Sequence, residues 1–197
     1  MKKDIILAGV GGQGILSIAA AIGLAARELN LYVRQSEVHG MSQRGGEVQA
    51  HLRISSKPIA ADLITEGTAD LIIGMEPMEA VRYVNFLAPD GWIITNKTPH
   101  VNIDNYPEIE KIISFITSIP NNLHFDADGI ARKCGSAKAS NMVILGACAS
   151  HLEIESKYLE QAIQQLFGSK GERVMDVNRK AFAEGQMLGK VEAEHVE

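Results

Sequence analysis

The stretch GVGGQGIL, residues 9–16, follows the short apolar run IILA and opens a segment with helical periodicity. Residues 9–14 fit the pattern G-x-G-x-x-G, in which glycine permits a tight turn and lets an anionic group approach the backbone. The helix after such a turn offers free backbone N–H groups and the positive end of its dipole. The stretch therefore predicts a strand, a turn and a helix that can bind a phosphate, with close glycine packing as the structural alternative.

Apolar patterns around this turn predict the fold class. Residues 4–9 and 69–75 are short apolar runs typical of buried parallel strands, and residues 13–30 carry apolar side chains at steps of three and four, as in an amphipathic helix. A second strand is predicted at 31–36, and the later elements are strands at 92–95 and 123–125 and helices starting near 77 and covering 106–117, 127–134, 139–150 and 157–189, with a break at 168–172. This alternation predicts an α/β fold: a single domain with a Rossmann-like open, mostly parallel sheet and helices on both faces.

One strand departs from the buried pattern. Residues 48–54 alternate apolar and polar side chains, which predicts a half-solvated strand that is antiparallel or at an edge of the sheet. We expect His51, on its polar side, to face solvent, and residues 88–92 to form a turn. The domain is placed at residues 1–189, followed by an acidic C-terminal tail at 190–197 that we expect to fray.

The composition excludes several classes of protein. The chain has 197 residues, 46% of them hydrophobic, and a formal net charge of −5, so it suits a globular domain and lacks the basic block of a nucleic-acid-binding protein. No run resembles a membrane span or a signal peptide, and we expect a cytoplasmic protein. The two cysteines, Cys134 and Cys148, are far apart, so we expect neither a metal nor an iron–sulfur cluster on this chain alone.

A second polar, glycine-bearing stretch, SEVHGMSQRGGEV at residues 36–48, carries further chemical groups. Arg44 can present a planar fork of donors to a phosphate or a carboxylate, and backbone N–H groups of the flanking glycines can join it. His39 can gain or release a proton near neutral pH. Each group has a structural alternative: a salt bridge for Arg44, a loop hydrogen bond for His39, and fixing of the loop for Glu37.

Glu37 also leaves a nicotinamide-dependent dehydrogenase open. A dinucleotide-binding turn is followed about 20 residues later by an acidic residue that binds the ribose hydroxyls. Glu37 nominally meets that spacing. The extra glycine beside Gln13 and the polar stretch after Glu37 are unusual for such an enzyme.

The two stretches together resemble the gamma-type subunits of the 2-oxoacid:ferredoxin oxidoreductases, and the version HGMSQRGG is most similar to the beta subunits of the indolepyruvate ferredoxin oxidoreductases. The likeness continues in DLIIGMEPMEAVR (70–82), SAKASNMVILGA (136–147) and NRKAFAEG (178–185). It covers nearly the whole chain, although residues 97–122 match no motif.

The resemblance implies a subunit that is active only with a partner. Enzymes of this family decarboxylate a 2-oxoacid on thiamine diphosphate, pass electrons through iron–sulfur clusters to ferredoxin and transfer the acyl group to coenzyme A. A large partner subunit is implied to carry the thiamine diphosphate and the 4Fe-4S clusters. This chain is implied to close the active site and to help bind coenzyme A.

The resemblance also implies roles for individual residues. The implied catalytic residues are Glu37, His39 and Arg44. The implied cofactor-binding residues are Gly9, Gly11, Gly12, Gln13, Gly14, Ser36, Gly40, Gln43, Gly45, Gly46 and Asn141. Three alternatives remain open: a gamma subunit for pyruvate, 2-oxoglutarate or branched-chain 2-oxoacids, a stand-alone NAD-binding dehydrogenase or sensor, and a pure assembly protein.

Overall fold

Six strands and seven α-helices make up the part of the chain that the computed structural model describes, residues 1–39, 46–101 and 103–195. The strands are β1 (Lys2–Val10), β2 (Tyr32–His39), β3 (Glu47–Ser55), β4 (Ala69–Gly74), β5 (Leu87–Asn96) and β6 (Asn122–Phe125). The helices are α1 (Ile15–Glu28), α2 (Pro77–Arg82), α3 (Ile109–Thr117), α4 (Ala127–Cys134), α5 (Ser140–Cys148), α6 (Ser156–Phe167) and α7 (Glu172–His195). None of the helices in these ranges combines the length and the apolarity needed to cross a bilayer.

The strands form one open sheet in the order β2-β3-β1-β4-β5-β6. β1, β4, β5 and β6 pair in parallel, whereas β3 is antiparallel to both of its neighbours. β2 is therefore parallel to β1 but separated from it by β3, which pairs with both of them in the antiparallel direction. The predicted mostly parallel sheet is confirmed, and so is the antiparallel direction of β3. On this side of the sheet the edge strand is β2, and β3 lies inside the sheet.

Helices cover both faces of the sheet, as the sequence predicts. Ile5 and Leu7 of β1 belong to an apolar cluster with α1, α5, α6 and α7. Ile6 and Ala8, which point to the opposite face, belong to a second cluster with α2 and α3. Helix α1 follows β1 on one face and α2 follows β4 on the other, so the boundary between these two strands is a topological switch point, where open α/β sheets bind ligands.

The expectation that His51 faces solvent is wrong. His51 is only 5% exposed, and its Nδ1 atom accepts a hydrogen bond of 3.0 Å from the backbone N–H of Ile64. Arg53 holds the same covering segment by donating to the carbonyls of Ala61 and Leu63. The alternation in β3 identifies its two faces correctly. It carries no information about the segment around residues 61–64, which covers the polar face of the strand.

Two element boundaries also differ from the sequence-based expectation. Residues 88–92, predicted as a turn, belong to β5, and the pairing of β5 with β4 shifts its register between Ala69 and Leu71. Helix α7 continues to His195, so the predicted frayed tail is helical up to that residue, while residues 196 and 197 lie outside the described part.

Helices α5 and α7 cross at backbone contact, which explains the small residues of the stretch ending at Gly185. A Cβ atom on Gly185 would lie 2.0 Å from the carbonyl oxygen of Val143, and one on Gly189 would lie 2.4 Å from that of Ala147. In the other direction, a Cβ atom on Gly146 would lie 2.1 Å from the carbonyl oxygen of Phe182. No side chain fits at these positions without separating the two helices.

Replacing Gly185 by Ala is expected to lower the free energy of unfolding by about 1–3 kcal/mol, because the added methyl group must push two helix backbones apart. Gly23→Ala in α1 is the matched control, since its Cβ atom would lie an ordinary 3.8 Å from Val33. That change should instead stabilise the protein by about 0.5–1 kcal/mol through helix propensity. Urea denaturation measures both changes, and a Gly185→Ala variant as stable as the parent would contradict the close crossing.

His151 makes folding sensitive to acid. It packs against Trp92 with ring centroids 4.4 Å apart, and its buried Nε2 atom has no hydrogen-bond partner within the described ranges. Burial, assisted by the charge of Lys3, lowers the pKa of His151 to about 4 from its ordinary 6.5. The folded state therefore keeps this imidazole neutral where the unfolded chain protonates it.

The free energy of unfolding is expected to fall as the pH is lowered from 6.5 towards 4. In this range the unfolded chain binds a proton that the folded protein does not, which costs up to ~1.4 kcal/mol per pH unit. His151→Phe keeps a ring against Trp92 and removes the titration, so its stability should depend less on pH. Urea denaturation across this range tests the expectation, which fails if both proteins show the same pH dependence.

Candidate functional site

The two glycine-bearing stretches meet at the carboxyl edge of the sheet. The N–H of Gly11 donates to the carbonyl of Gly46 at 2.8 Å, and Val10 at the end of β1 pairs with Glu47 at the start of β3. The side chain of Gln13 folds back on the turn, where its Oε1 atom accepts a hydrogen bond of 2.7 Å from the N–H of Val10. The amide at the start of α1 thus closes the turn itself.

The glycines of the turn serve two different purposes. A Cβ atom on Gly9 would lie 2.9 Å from both Gln13 and Ile15, so this position is required for close packing. Gly12 has a φ of +99° and nothing within 4 Å of its Cβ position, so its backbone is open to an approaching group. Close packing, the structural alternative to phosphate binding, therefore explains Gly9. At Gly12 there is room for an anionic group to approach the backbone, as the sequence predicts.

Asn141, in the first turn of α5, contacts the glycine turn from the far end of the chain. Its Nδ2 atom donates to the carbonyl of Gly14 at 3.3 Å, although 127 positions separate the two residues. Asn141 is 5% exposed, and its Oδ1 atom has no hydrogen-bond partner among the residues described. The structure thus brings Asn141 and the glycine turn together, as the implied site requires.

A cleft of about 850 Å³ opens beside this contact, a size that suits a nucleotide or a cofactor. It lies between the starts of α1 and α5 and the junction of α6 with α7, and its lining includes Gly12, Gln13, Gly14, Ser17, Ser136, Lys138, Ser140, Asn141, Phe167, Lys170, Arg173, Val174 and Val177. Neither α1 nor α5 has a side chain that caps its N-terminus. Helix α1 therefore presents free N–H groups and its positive dipole end to this space. Helix α5 continues from a 3-10 turn at Ala137–Ala139, whose carbonyl at Ala137 accepts from the N–H of Ser140, so α5 contributes mainly its dipole.

Three exposed cations surround the cleft: Lys138, Lys170 and Arg173. None of them forms an ion pair within the described ranges, although the chain carries a formal net charge of −5. Unpaired positive charge beside two helix N-termini favours a multiply charged anion. None of these three residues is among the site residues predicted from the sequence. A signal was present, because Lys138 lies inside the matched stretch 136–147, and Lys170 and Arg173 lie within two residues of Gly171 at the break after α6.

The residues on β2 lie away from this cleft. Ser36 pairs with His51 and Glu37 with Ala50, so both stand back from the carboxyl edge, on the edge strand. Glu37 is exposed and accepts a hydrogen bond from the side chain of Gln35. The backbone of His39 pairs with Val48, level with Gly9.

Gly40, Gln43, Arg44 and Gly45 lie outside the described residues. Of the implied cofactor-binding residues in this stretch, Gly46 is the one that the structure places in contact with the glycine turn.

A buried carboxylate cluster supports the opposite face of the same edge. Glu76 caps α2 by accepting from the N–H of Glu79 at 2.8 Å, and it also accepts from the N–H of His100 and the hydroxyl of Tyr106. Burial raises the pKa of Glu79, and the carboxylates of Glu47 and Glu76 act in the same direction against Arg82. The matched stretch 70–82 thus anchors α2 and the segment after β5. Across the described ranges, no group of His, Cys, Asp and Glu has the arrangement of a metal site.

Comparison with known proteins gives consistent matches. A model of the pyruvate ferredoxin/flavodoxin oxidoreductase family matches residues 4–187. The indolepyruvate oxidoreductase subunit IorB of Archaeoglobus fulgidus is 37% identical over 194 residues, which cover 94% of each chain. The protein of the same name from Pyrococcus horikoshii is 36% identical over 201 residues, covering 96% of this chain and 98% of its own length.

Among solved structures, this fold is similar to part of the 2-oxoglutarate:ferredoxin oxidoreductase from Magnetococcus marinus, whose structure holds 2-oxoglutarate, coenzyme A and succinyl-CoA. The TM-score is 0.76 at 24% identity, and the match covers 96% of this chain. This chain spans 31% of the length of that one, so the fold occurs there within a longer polypeptide.

Gly14→Ala is expected to destabilise the protein more than Gly12→Ala. Both glycines have a positive φ, so each change costs about 1–2 kcal/mol of backbone strain, but a Cβ atom on Gly14 would also lie 2.5 Å from Nδ2 of Asn141. The extra loss should disappear when Asn141 is itself replaced by Ala, because the clash is then absent. A double-mutant cycle of unfolding free energies measures this coupling, and additive effects would contradict the contact.

Proposed function

This chain belongs to the pyruvate ferredoxin/flavodoxin oxidoreductase family, and we propose that it is the beta-type small subunit of an indolepyruvate ferredoxin oxidoreductase. The two archaeal relatives support this proposal, because both are named as subunits of an indolepyruvate oxidoreductase and both match nearly the whole chain. They do not support a stand-alone NAD-binding dehydrogenase or sensor. The alternative is a gamma subunit of an enzyme for pyruvate, 2-oxoglutarate or branched-chain 2-oxoacids. Dye reduction with different 2-oxoacids distinguishes this alternative from the proposal.

The proposed overall reaction consumes an aryl 2-oxoacid such as indolepyruvate together with coenzyme A. The bond between the keto carbon and the carboxylate breaks and releases carbon dioxide, and the acyl carbon becomes bonded to the thiol sulfur. Two electrons pass to two oxidised ferredoxins, and one proton is released. In the cytoplasm, the proposed location, ferredoxin is the electron acceptor.

We place the binding of coenzyme A in the cleft beside the glycine turn, and this cleft carries the structural side of the proposal. Its volume, its three unpaired cations and the two helix N-termini beside it suit the phosphates of this co-substrate. Gly12 exposes backbone at the turn, and Asn141 fixes the turn from α5 through the carbonyl of Gly14. A role in assembly alone would not explain why three unpaired cations surround one cleft.

The iron–sulfur clusters do not fit this chain, and we assign them to a large partner subunit. A 4Fe-4S cluster is held by four cysteine thiolates, whereas the sequence has two cysteines, and Cys148 is fully buried among the apolar residues of α5. We assign the thiamine diphosphate to the same partner. When bound there, it supplies the carbanion chemistry of decarboxylation.

The second stretch, residues 36–46, is proposed to face the active site that the two subunits share. Gly46 contacts the glycine turn, so the stretch ends at the carboxyl edge beside the cleft. Within it, Arg44 is proposed to hold an anionic group and His39, at the end of β2, to stand nearest the reacting atoms, whereas Glu37 lies two residues further back on the strand. A protein wall at this edge would also exclude water from the reactive intermediates.

The experiment that tests the function is an anaerobic affinity purification of the tagged chain from its native cell. The expected product is a brown complex with a large subunit, which reduces a viologen dye when indolepyruvate and coenzyme A are both supplied. Activity confined to other 2-oxoacids would move the substrate within the family. A colourless single chain, under conditions in which a known complex survives, would contradict the proposal.

The same assay tests Arg44. Arg44→Ala is expected to lower kcat/KM for the 2-oxoacid by about tenfold or more, because a charge-assisted, bidentate contact is lost. Arg34→Ala is the matched control, an exposed arginine on the preceding strand that pairs with Asp62. Unchanged kinetics of the Arg44→Ala complex, with assembly intact, would exclude the active-site role.

A further inference from the structure

We propose that the junction of α6 with α7 recognises the 3′-phosphate of coenzyme A, which makes Lys170 and Arg173 specificity-determining residues. This inference rests on the proposed function, because it takes coenzyme A as the occupant of the cleft. It goes further by dividing the cleft into two anion subsites of different chemistry. Each subsite is assigned to a different phosphate group.

The first subsite is built mainly from backbone. It consists of the glycine turn and the N-termini of α1 and α5. Lys138, two residues before α5 begins, is the cation that lines the cleft beside it. Asn141 borders it with a nearly buried amide oxygen that no described residue satisfies. Backbone N–H groups at the start of a helix commonly bind a diphosphate. The unpaired Oδ1 atom of Asn141 can accept a hydrogen bond from an amide N–H of the pantetheine arm, which follows the diphosphate in coenzyme A.

The second subsite is built from side chains. Lys170 and Arg173 lie on the opposite side of the cleft, next to an apolar wall that includes Val174 and Val177. Lys170 is held over the ring of Phe167, with its Nζ atom 4.8 Å from the ring centroid. Val174 is 39% exposed, so the lining of the cleft offers an exposed apolar side chain as well as the unpaired cations Lys170 and Arg173.

Coenzyme A carries groups that match this division. Its 3′-phosphate is a monoester with close to two negative charges, which suits two cationic side chains. Adenine is attached to the same ribose, so the base and this phosphate must be bound next to each other. The α6–α7 junction brings two cations and an exposed valine to the lining of the cleft within residues 170–174, whereas the backbone subsite suits the diphosphate.

Dephospho-coenzyme A, which lacks only the 3′-phosphate, gives a direct test in the intact complex. The KM in the dye-reduction assay and the Kd from calorimetry are measured for both compounds. The proteins compared are the parent complex and its Lys170→Ala, Arg173→Ala and Lys138→Ala variants. Arg179→Ala is the matched control, an exposed arginine on the same helix that does not line this cleft.

The parent complex should bind coenzyme A at least about tenfold more tightly than dephospho-coenzyme A, as expected when charge-assisted contacts to a phosphate are lost. Lys170→Ala and Arg173→Ala should each weaken coenzyme A about tenfold and leave dephospho-coenzyme A within about twofold of the parent. Lys138→Ala should weaken both compounds by the same factor. Arg179→Ala should change neither.

The possible failures are distinguishable. If Lys170→Ala and Arg173→Ala weaken both compounds equally, or neither, the 3′-phosphate assignment is wrong while coenzyme A binding stands. Should the parent complex bind both compounds equally well, no residue of the cleft reads the 3′-phosphate and the inference is overturned. A complex that binds neither compound removes the proposed function, and this inference with it.

Discussion

One backbone hydrogen bond, from the N–H of Gly11 to the carbonyl of Gly46, fixes the geometry on which the candidate site depends. It forms because β3 runs back beside β1 over its full length, so that the start of one strand lies opposite the end of the other. The turn is closed on its inner side by Gln13 and supported from α5 by Asn141. The glycine turn therefore has defined neighbours on several sides before any ligand is bound.

The sequence predicts the elements of this fold better than their arrangement. Local patterns locate α1, which buries one side of a helix, and β4, a continuous apolar run that is buried on both faces. The insertion of β3 between β2 and β1 depends on long-range pairing, and the burial of His51 depends on a segment that reaches back over the sheet. Neither leaves a local trace.

The candidate site follows the same division. The glycine turn is visible as a motif, and Asn141 comes from the resemblance, although only the structure shows that they touch. Lys170 ends a short 3-10 turn and Arg173 lies in the first turn of α7, so no local pattern sets their position beside the glycine turn, which follows from the packing of α7. Ser36 and Glu37 stand back on the edge strand, because the register of β2 against β3 decides which residues reach the carboxyl edge.

The close crossing of α5 and α7 has a consequence for the thermodynamics of binding. Each helix carries one wall of the cleft near its N-terminal end, and the crossing places their backbones in direct contact further along. Two helices packed this way move as one body, so the walls keep their separation without a ligand. The cleft is thus preorganised, and little of the interaction energy with an anion is lost to reshaping the protein. Affinity then depends chiefly on how well the fixed charges match those of the ligand.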